Sequence, residues 1–283
     1  MDAPDDHAAD RCAPWQATAA YLYVLLLDDP ALAWEYLRRD PGYCACWRAL
    51  GRQAEPAAAH QWGLEQLENP NLDARCAHPV WNDSLPSLLH IRMADNQAGG
   101  AGLDLWHIPG RKDLAVTPHG LALQASDGVR ILRARLDPGV LDGRPAMCII
   151  PLDARLHPQA ALLSSHAAHF APRRASPTGR RPSAAASHGG VFRYTQAAQQ
   201  HLRALQALDG RLAGASQRAI GEALYGREQV CGGWHADSAL RAQVRYNLTR
   251  GLALMRGGYR ALAGLRPASS TAVPAPGENP SPS

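Results

Sequence analysis

Residues 238–262 read S-A-L-R-A-Q-V-R-Y-N-L-T-R-G-L-A-L-M-R-G-G-Y-R-A-L, and their spacing decides how the carboxyl-terminal part folds. Leu240, Val244, Leu248, Leu252, Met255, Tyr259 and Leu262 recur at intervals of three or four, one apolar stripe along a long helix. Asp237 or Ser238 supplies its cap, and Gly257-Gly258 is a place for a late kink. Away from the stripe lie Ala239, Ala242, Tyr246 and Thr249, flanked by Gln243 and Arg250 on one side and Arg245 on the other.

Upstream, Thr195 caps a helix with Leu202, Leu205, Leu208 and Leu212 on one face, broken at Gly214. Ser216 opens a short helix that turns Ile220, Ala223 and Leu224 inward and ends at Gly226. A loop from Arg227 to His235 follows, in which Trp234 is a core anchor before the long helix. A short second helix before a longer third is the skeleton of a helix-turn-helix unit, although this loop exceeds the usual turn of three or four residues. A major groove about 12 Å wide admits one helix. Alanines let its backbone approach closely. Glutamine pairs with adenine, arginine with guanine or phosphate, and tyrosine and threonine with phosphate. The candidate DNA-contacting set is therefore Ser238, Ala239, Arg241, Ala242, Gln243, Arg245, Tyr246, Thr249 and Arg250. The competing assignment is the solvated face of a plain three-helix bundle.

Charge is segregated along the 283 residues. Residues 1–163 hold 14 basic and 20 acidic side chains, residues 164–190 four arginines and no acid, and residues 191–266 eleven arginines against four acids. Lys112 is the sole lysine among 29 basic residues. Arginine keeps its charge and offers a planar fork to phosphates and guanine edges, although a GC-rich genome favours it too. A cationic module on an acidic body implies double-stranded DNA as partner of the first. Protein contacts, such as RNA polymerase or another subunit, suit the second.

The predicted organisation is α+β and multidomain. Residues 15–68 form a helical domain, with a helix opened by Asp28-Asp29-Pro30 and stopped at Pro41-Gly42, a second over 44–53 and a third over 57–68. Residues 80–156 form a small antiparallel β unit with strands at 88–92, 103–108, 114–117, 121–124, 129–136 and 147–152, Asp127-Gly128 being a tight hairpin signal. Residues 164–190 are a basic linker in which Arg173, Arg174, Arg180 and Arg181 give nonspecific phosphate attraction or mere solubility. Residues 191–266 are the DNA-binding domain, and 267–283 a disordered tail.

Two runs carry a family resemblance. Leu208-Asp209-Gly210-Arg211-Leu212-Ala213-Gly214-Ala215-Ser216, Ile220-Gly221-Glu222-Ala223-Leu224-Tyr225-Gly226, Trp234, Ser238-Ala239-Leu240-Arg241 and Ala253-Leu254-Met255-Arg256-Gly257-Gly258-Tyr259-Arg260 resemble a domain of proteobacterial conjugative-element regulators. Ala33-Trp34-Glu35-Tyr36-Leu37-Arg38-Arg39-Asp40-Pro41-Gly42-Tyr43 resembles the amino-terminal regulator-like domain of the longer members. The resemblance implies a variant helix-turn-helix in an activator of excision and transfer genes of an integrative conjugative element. The alternative it implies is an antiactivator that controls another regulator without binding DNA.

Other chemistry is poorly supported. Cys44, Cys46, Cys76 and His78 offer four zinc-type donors, but the C-x-C spacing is short and the pairs lie about 30 residues apart on different predicted elements, so isolated thiols are the simpler assignment. No metal or cofactor is expected. No H-E-x-x-H, P-loop or nucleophile elbow occurs, so no catalytic residue is assigned and no enzyme is expected. The longest apolar run, Tyr21 to Leu27, falls far short of the roughly 20 residues of a spanning helix. The acidic start is unlike a secretory leader. The expected location is the cytoplasm, at the nucleoid.

Overall fold

The helix start at Asp28-Asp29-Pro30 forms as the sequence implies. In the computed structural model α1 spans Asp29–Leu37, and Asp28 accepts from Ala31 N at 3.1 Å. The structure describes residues 15–52, 54–94, 102–127, 130–170, 194–235 and 238–265. A 3-10 segment, Thr18–Leu26, precedes α1. Pro41-Gly42 opens a helix rather than closing one. Asp40 accepts from the Gly42 and Tyr43 amides, and Pro41, with no N–H to satisfy, begins α2, Pro41–Leu50. The third helix, α3, is Pro56–His60 and stops well short of residue 68. Gly63 turns the chain at φ +81°, and Leu64 then bridges to Trp81.

The middle unit is a five-stranded sheet of β1 (Leu88–Met93), β2 (Arg111–Thr117), β3 (Gly120–Ser126), β4 (Ile131–Leu136) and β5 (Ala146–Ile149), in the order β2-β3-β4-β1-β5. It is mostly antiparallel, but β1 pairs with β4 in parallel. The strand expected at 103–108 is a 3-10 turn, Leu105–His107, capped by Asp104. Leu103, Leu105 and Ile108 pack on the sheet core and join no ladder, while Trp106 is exposed. β3 and β4 form the hairpin, with Asp127 N donating to Arg130 O, while Gly128 of the turn signal lies outside the described residues.

Alternation gives the sheet two unlike faces. Leu89, Ile91, Leu123, Leu132, Ala134 and Leu136 form one core, covered by Leu162, Leu163 and Phe170 of α4, Leu156–Phe170. Residues 164–170, expected to start the linker, thus end a helix, because its apolar residues have a sheet to cover. Arg173, Arg174, Arg180 and Arg181, the rest of the linker, and the tail at 267–283 lie outside the described residues. The opposite sheet face carries Arg133, which reaches the cap of α1, and Arg135. Arg133 binds Asp28 at 2.6 Å, and Arg135 binds Thr117 at 2.9 Å and Asp83 at 3.2 Å.

The carboxyl-terminal helices are α5 (Gln196–Leu212), α6 (Gln217–Tyr225), α7 (Arg227–Gly233), α8 (Ala239–Ala253) and α9 (Tyr259–Leu262). Thr195, Ser216 and Ser238 cap α5, α6 and α8. Two expectations are corrected. The loop at 227–235 contains α7, pinned by fully buried Val230, so four helices precede the kink instead of three. Nor is the unit freestanding. Leu202, Leu205, Leu208, Met255, Tyr259, Ala263 and Leu265 share one core with Trp34, Tyr36 and Leu37, and Leu212, expected on the buried stripe, is exposed. The kink comes at Gly257, φ +119°, within a π segment, Leu254–Gly258. No helix among the described residues is long and apolar enough to cross a membrane.

α5 and α8 cross closely because position 251 carries no side chain. A Cβ there would stand 2.9 Å from the Ala204 carbonyl oxygen and 3.2 Å from Leu208 Cβ. Gly251→Ala should therefore lower stability by about 1–3 kcal/mol, despite alanine's better helix propensity. Urea unfolding measures it, and a stabilised variant would contradict the crossing.

Candidate nucleic-acid interface

α8 has one face that is built in and one that is not. Val244 and Leu248 pack with Ala207 and Ile220 in a small core bordered by Leu224, Tyr225 and Trp234. Gly221 makes room for the Trp234 ring, where a Cβ would come within 2.8 Å. Trp234 is the anchor the sequence suggests, seated on α6. Asn247 is buried and donates from Nδ2 to Tyr225 Oη at 3.1 Å. The opposite face exposes Ala239, Ala242, Gln243, Arg245, Tyr246 and Thr249, with Tyr246 54% exposed. Arg241 is half-buried at its edge. Ser238 lies at the end of the row, its hydroxyl accepting from Arg241 N.

Arg250 departs from this row. Its Nη2 lies 3.3 Å from His201 Nε2, and His201 Nδ1 lies 3.0 Å from Tyr36 Oη. A guanidinium only donates, so Nε2 must accept and the ring proton sits on Nδ1, donated to Tyr36. Arg250 thus ties α8 to α5 and, through His201, to α1. Burial first, then the Arg250 cation, push His201 down to about 4. Between that value and the ordinary 6.5 the unfolded chain binds the proton and the folded chain does not. Stability contributed here is whole above about 6.5 and is lost as pH falls through about 4. Urea midpoints at pH 7 and 4.5 should differ more in the parent protein than in His201→Gln. Equal differences would contradict the arrangement.

A second clamp joins the amino-terminal helices to α5. Arg39 donates to both carboxylate oxygens of Asp209 on α5, at 2.6 and 2.8 Å, and to Glu35 at 2.5 Å. Glu35 is fully buried and also accepts from Arg38 and from Ala74 N. Burial opposes its ionisation, but Arg39 and Arg38 outweigh that and hold its carboxyl at about 2. Tyr21 Oη donates to Asp209 at 2.7 Å. Sequence reasoning gave neither Arg39 nor Asp209 a role. Each lies in one of the two runs that carry the resemblance, and opposite charges in two such runs were the available signal.

The arginines therefore divide by use. Arg38, Arg39, Arg133 and Arg135 are paired inside the fold. Residues 238–266 hold six arginines and no acid, and the side chains of Arg241, Arg245 and Arg256 make no ion pair or hydrogen bond among the described residues. Cysteines have local uses: Cys44 Sγ donates to Arg38 O.

Two family models match the chain. Residues 14–65 match a proteobacterial transcriptional regulator-like domain. Residues 149–264 match a model described as T6SS transcription factor, DNA-binding domain. The second match is wider than the 191–266 expected from sequence and takes in α4. No curated protein matches the chain.

Proposed function

We propose, from the premise that the chain joins a transcriptional regulator-like domain to a transcription-factor DNA-binding domain, that it activates transcription by laying the exposed face of α8 in the major groove. The observation that carries this is the row Ala239, Ala242, Gln243, Arg245, Tyr246 and Thr249. It combines small residues with base- and phosphate-binding groups on an acid-free helix inside the matched stretch. α7 makes the unit a helix-turn-helix variant with a helical insertion before the recognition helix. Arg245 and Arg241 reach bases or phosphates, while Arg250 holds α8 in place from behind. The acidic amino-terminal body serves protein contacts such as RNA polymerase or an antiactivator. The protein acts in the cytoplasm, at the nucleoid, by binding and not by catalysis.

The target genes we assign from the sequence resemblance are those for excision and transfer of an integrative conjugative element. The name of the matched DNA-binding model supplies the competing set, T6SS promoters. Retardation of both sets of duplexes by the full chain, across several salt concentrations, decides between them. The full chain is needed because a 191–266 fragment would expose Leu202, Leu205, Met255 and Tyr259. Preferential retardation of excision promoters with a steep salt slope is expected. No retardation at low salt contradicts DNA binding. The antiactivator alternative is favoured by exposed Tyr246 among alanines, a surface that also suits a protein partner. Capture of a partner by nuclease-treated protein that retards no duplex would support it.

A further inference from the structure

Strand β2 ends the sheet, and among the described residues no strand pairs with its outer side. Thr117 and Gly120 flank a two-residue turn and so form a hydrogen-bonded pair. The alternation of an antiparallel ladder then sends the main-chain groups of Lys112, Leu114 and Val116 outward. The Val116 carbonyl bears this out, since it accepts from Gln66 Nε2. No group from outside the sheet bonds the Lys112 or Leu114 main chain among the described residues. Sheet edges are commonly guarded by bulges or prolines. β2 holds no proline, and its register with β3 runs unbroken from Arg111↔Ser126 to Thr117↔Gly120. The side chains at this margin are apolar and bare: Leu114 is 46%, Val116 74% and Trp106 88% exposed. Leu114 and Val116 lie beside Leu123 and Leu121 on the face that α4 packs against. Leu163 and Phe170 of α4, however, sit by Ala146, Met147 and Cys148 at the other edge.

An open edge takes a strand, and the sequence of β2 suits its own copy. A twofold axis through a continuous sheet sets one residue of the strand opposite itself. Centred on Lys112 or Asp113, the pairing brings like charges face to face. Centred on Ala115 or Val116, the ladder shortens and runs toward Pro118, which has no N–H to give. Centred on Leu114, it keeps all seven residues, with Arg111 opposite Thr117 and Lys112 opposite Val116. We infer that β2 pairs antiparallel with β2 of a second copy, centred on Leu114, and joins two sheets into one. The two Leu114 side chains then meet. Val116 of each copy packs beside the contact between Lys112 and Trp106 of the other, where the ammonium lies 5.9 Å from the ring. Asp113, opposite Ala115, keeps Arg111 and His78. Gln66 yields the Val116 carbonyl to the amide of the partner's Lys112. This pairing does not depend on how α8 is used, and its test contains no DNA.

Sedimentation equilibrium of the full chain, up to about 100 µM, is expected to show self-association with a dissociation constant of about 10 µM or tighter. Leu114→Glu sets two carboxylates face to face and should weaken it roughly tenfold or more. Oxidation reads the register. Facing residues of a hydrogen-bonded pair have Cα atoms about 5.5 Å apart, within disulfide range, so Leu114→Cys should give a covalent dimer. The two copies of position 112 stand about 14 Å apart, so Lys112→Cys should give no more than the parent, in which exposed Cys76 and Cys231 set the background. A chain that stays monomeric at about 100 µM, as it would if another of its own segments covered the edge, overturns the inference. So does a folded Leu114→Glu that associates as the parent does, or equal oxidation at 112 and 114. If Leu114→Glu does not fold, Val116→Lys, at a 74% exposed position, takes its place.

Discussion

Arg39→Met is expected to lower the unfolding free energy by about 3–5 kcal/mol, a large part of the stability of an ordinary domain. The magnitude follows from what is left behind. Glu35 is fully buried, Asp209 is mostly buried, and both lose a partner at hydrogen-bond distance. Arg38 still faces Glu35, but among the described residues Asp209 keeps only the Tyr21 hydroxyl. Urea unfolding of the parent, Arg39→Met, Asp209→Asn and the double variant isolates the pair, and a large coupling energy is expected. A loss below about 1 kcal/mol would mean that the clamp behaves like a solvated surface bridge, and the joining of the amino-terminal helices to α5 would need another explanation.

The second large effect concerns binding instead of folding. Gln243→Ala, Arg245→Ala and Tyr246→Ala combined should leave the urea midpoint nearly unchanged, because all three side chains are exposed. The same variant should weaken binding to the preferred duplex by on the order of 100-fold or more, given about 1–3 kcal/mol for each specific contact. Arg245→Ala alone should reduce the salt slope by about one if it neutralises a phosphate. Anisotropy titrations with the full chain measure both. Unaltered affinity in the triple variant would move the interface off α8.

The parts of the fold that were legible are those in which local chemistry and periodicity agree. Capped starts at Asp28, Thr195, Ser216 and Ser238 formed, and Val244 and Leu248 of α8, Met255 of the π segment and Tyr259 of α9 are buried as the stripe requires. What escaped depends on distant partners. Leu105 to Ile108 carries strand-like apolarity but meets a core and no ladder. Residues 164–170 look like linker until a sheet is there to cover. The parallel pairing of β1 with β4 has no local signature. For the site, the exposed row of α8 could be seen in the sequence. The withdrawal of Arg250 could not, since it depends on His201 and Tyr36, 49 and 165 residues apart in the contacts they make.

The most direct test places the photocrosslinking residue p-benzoylphenylalanine at position 246 of the full chain, with a control at position 106, where Trp106 is 88% exposed on the sheet unit. Irradiation with a duplex that the parent protein retards should give a DNA adduct from position 246 and none from 106. Adducts from 106 but not 246, or position 246 captured only by protein, would contradict contact between α8 and DNA.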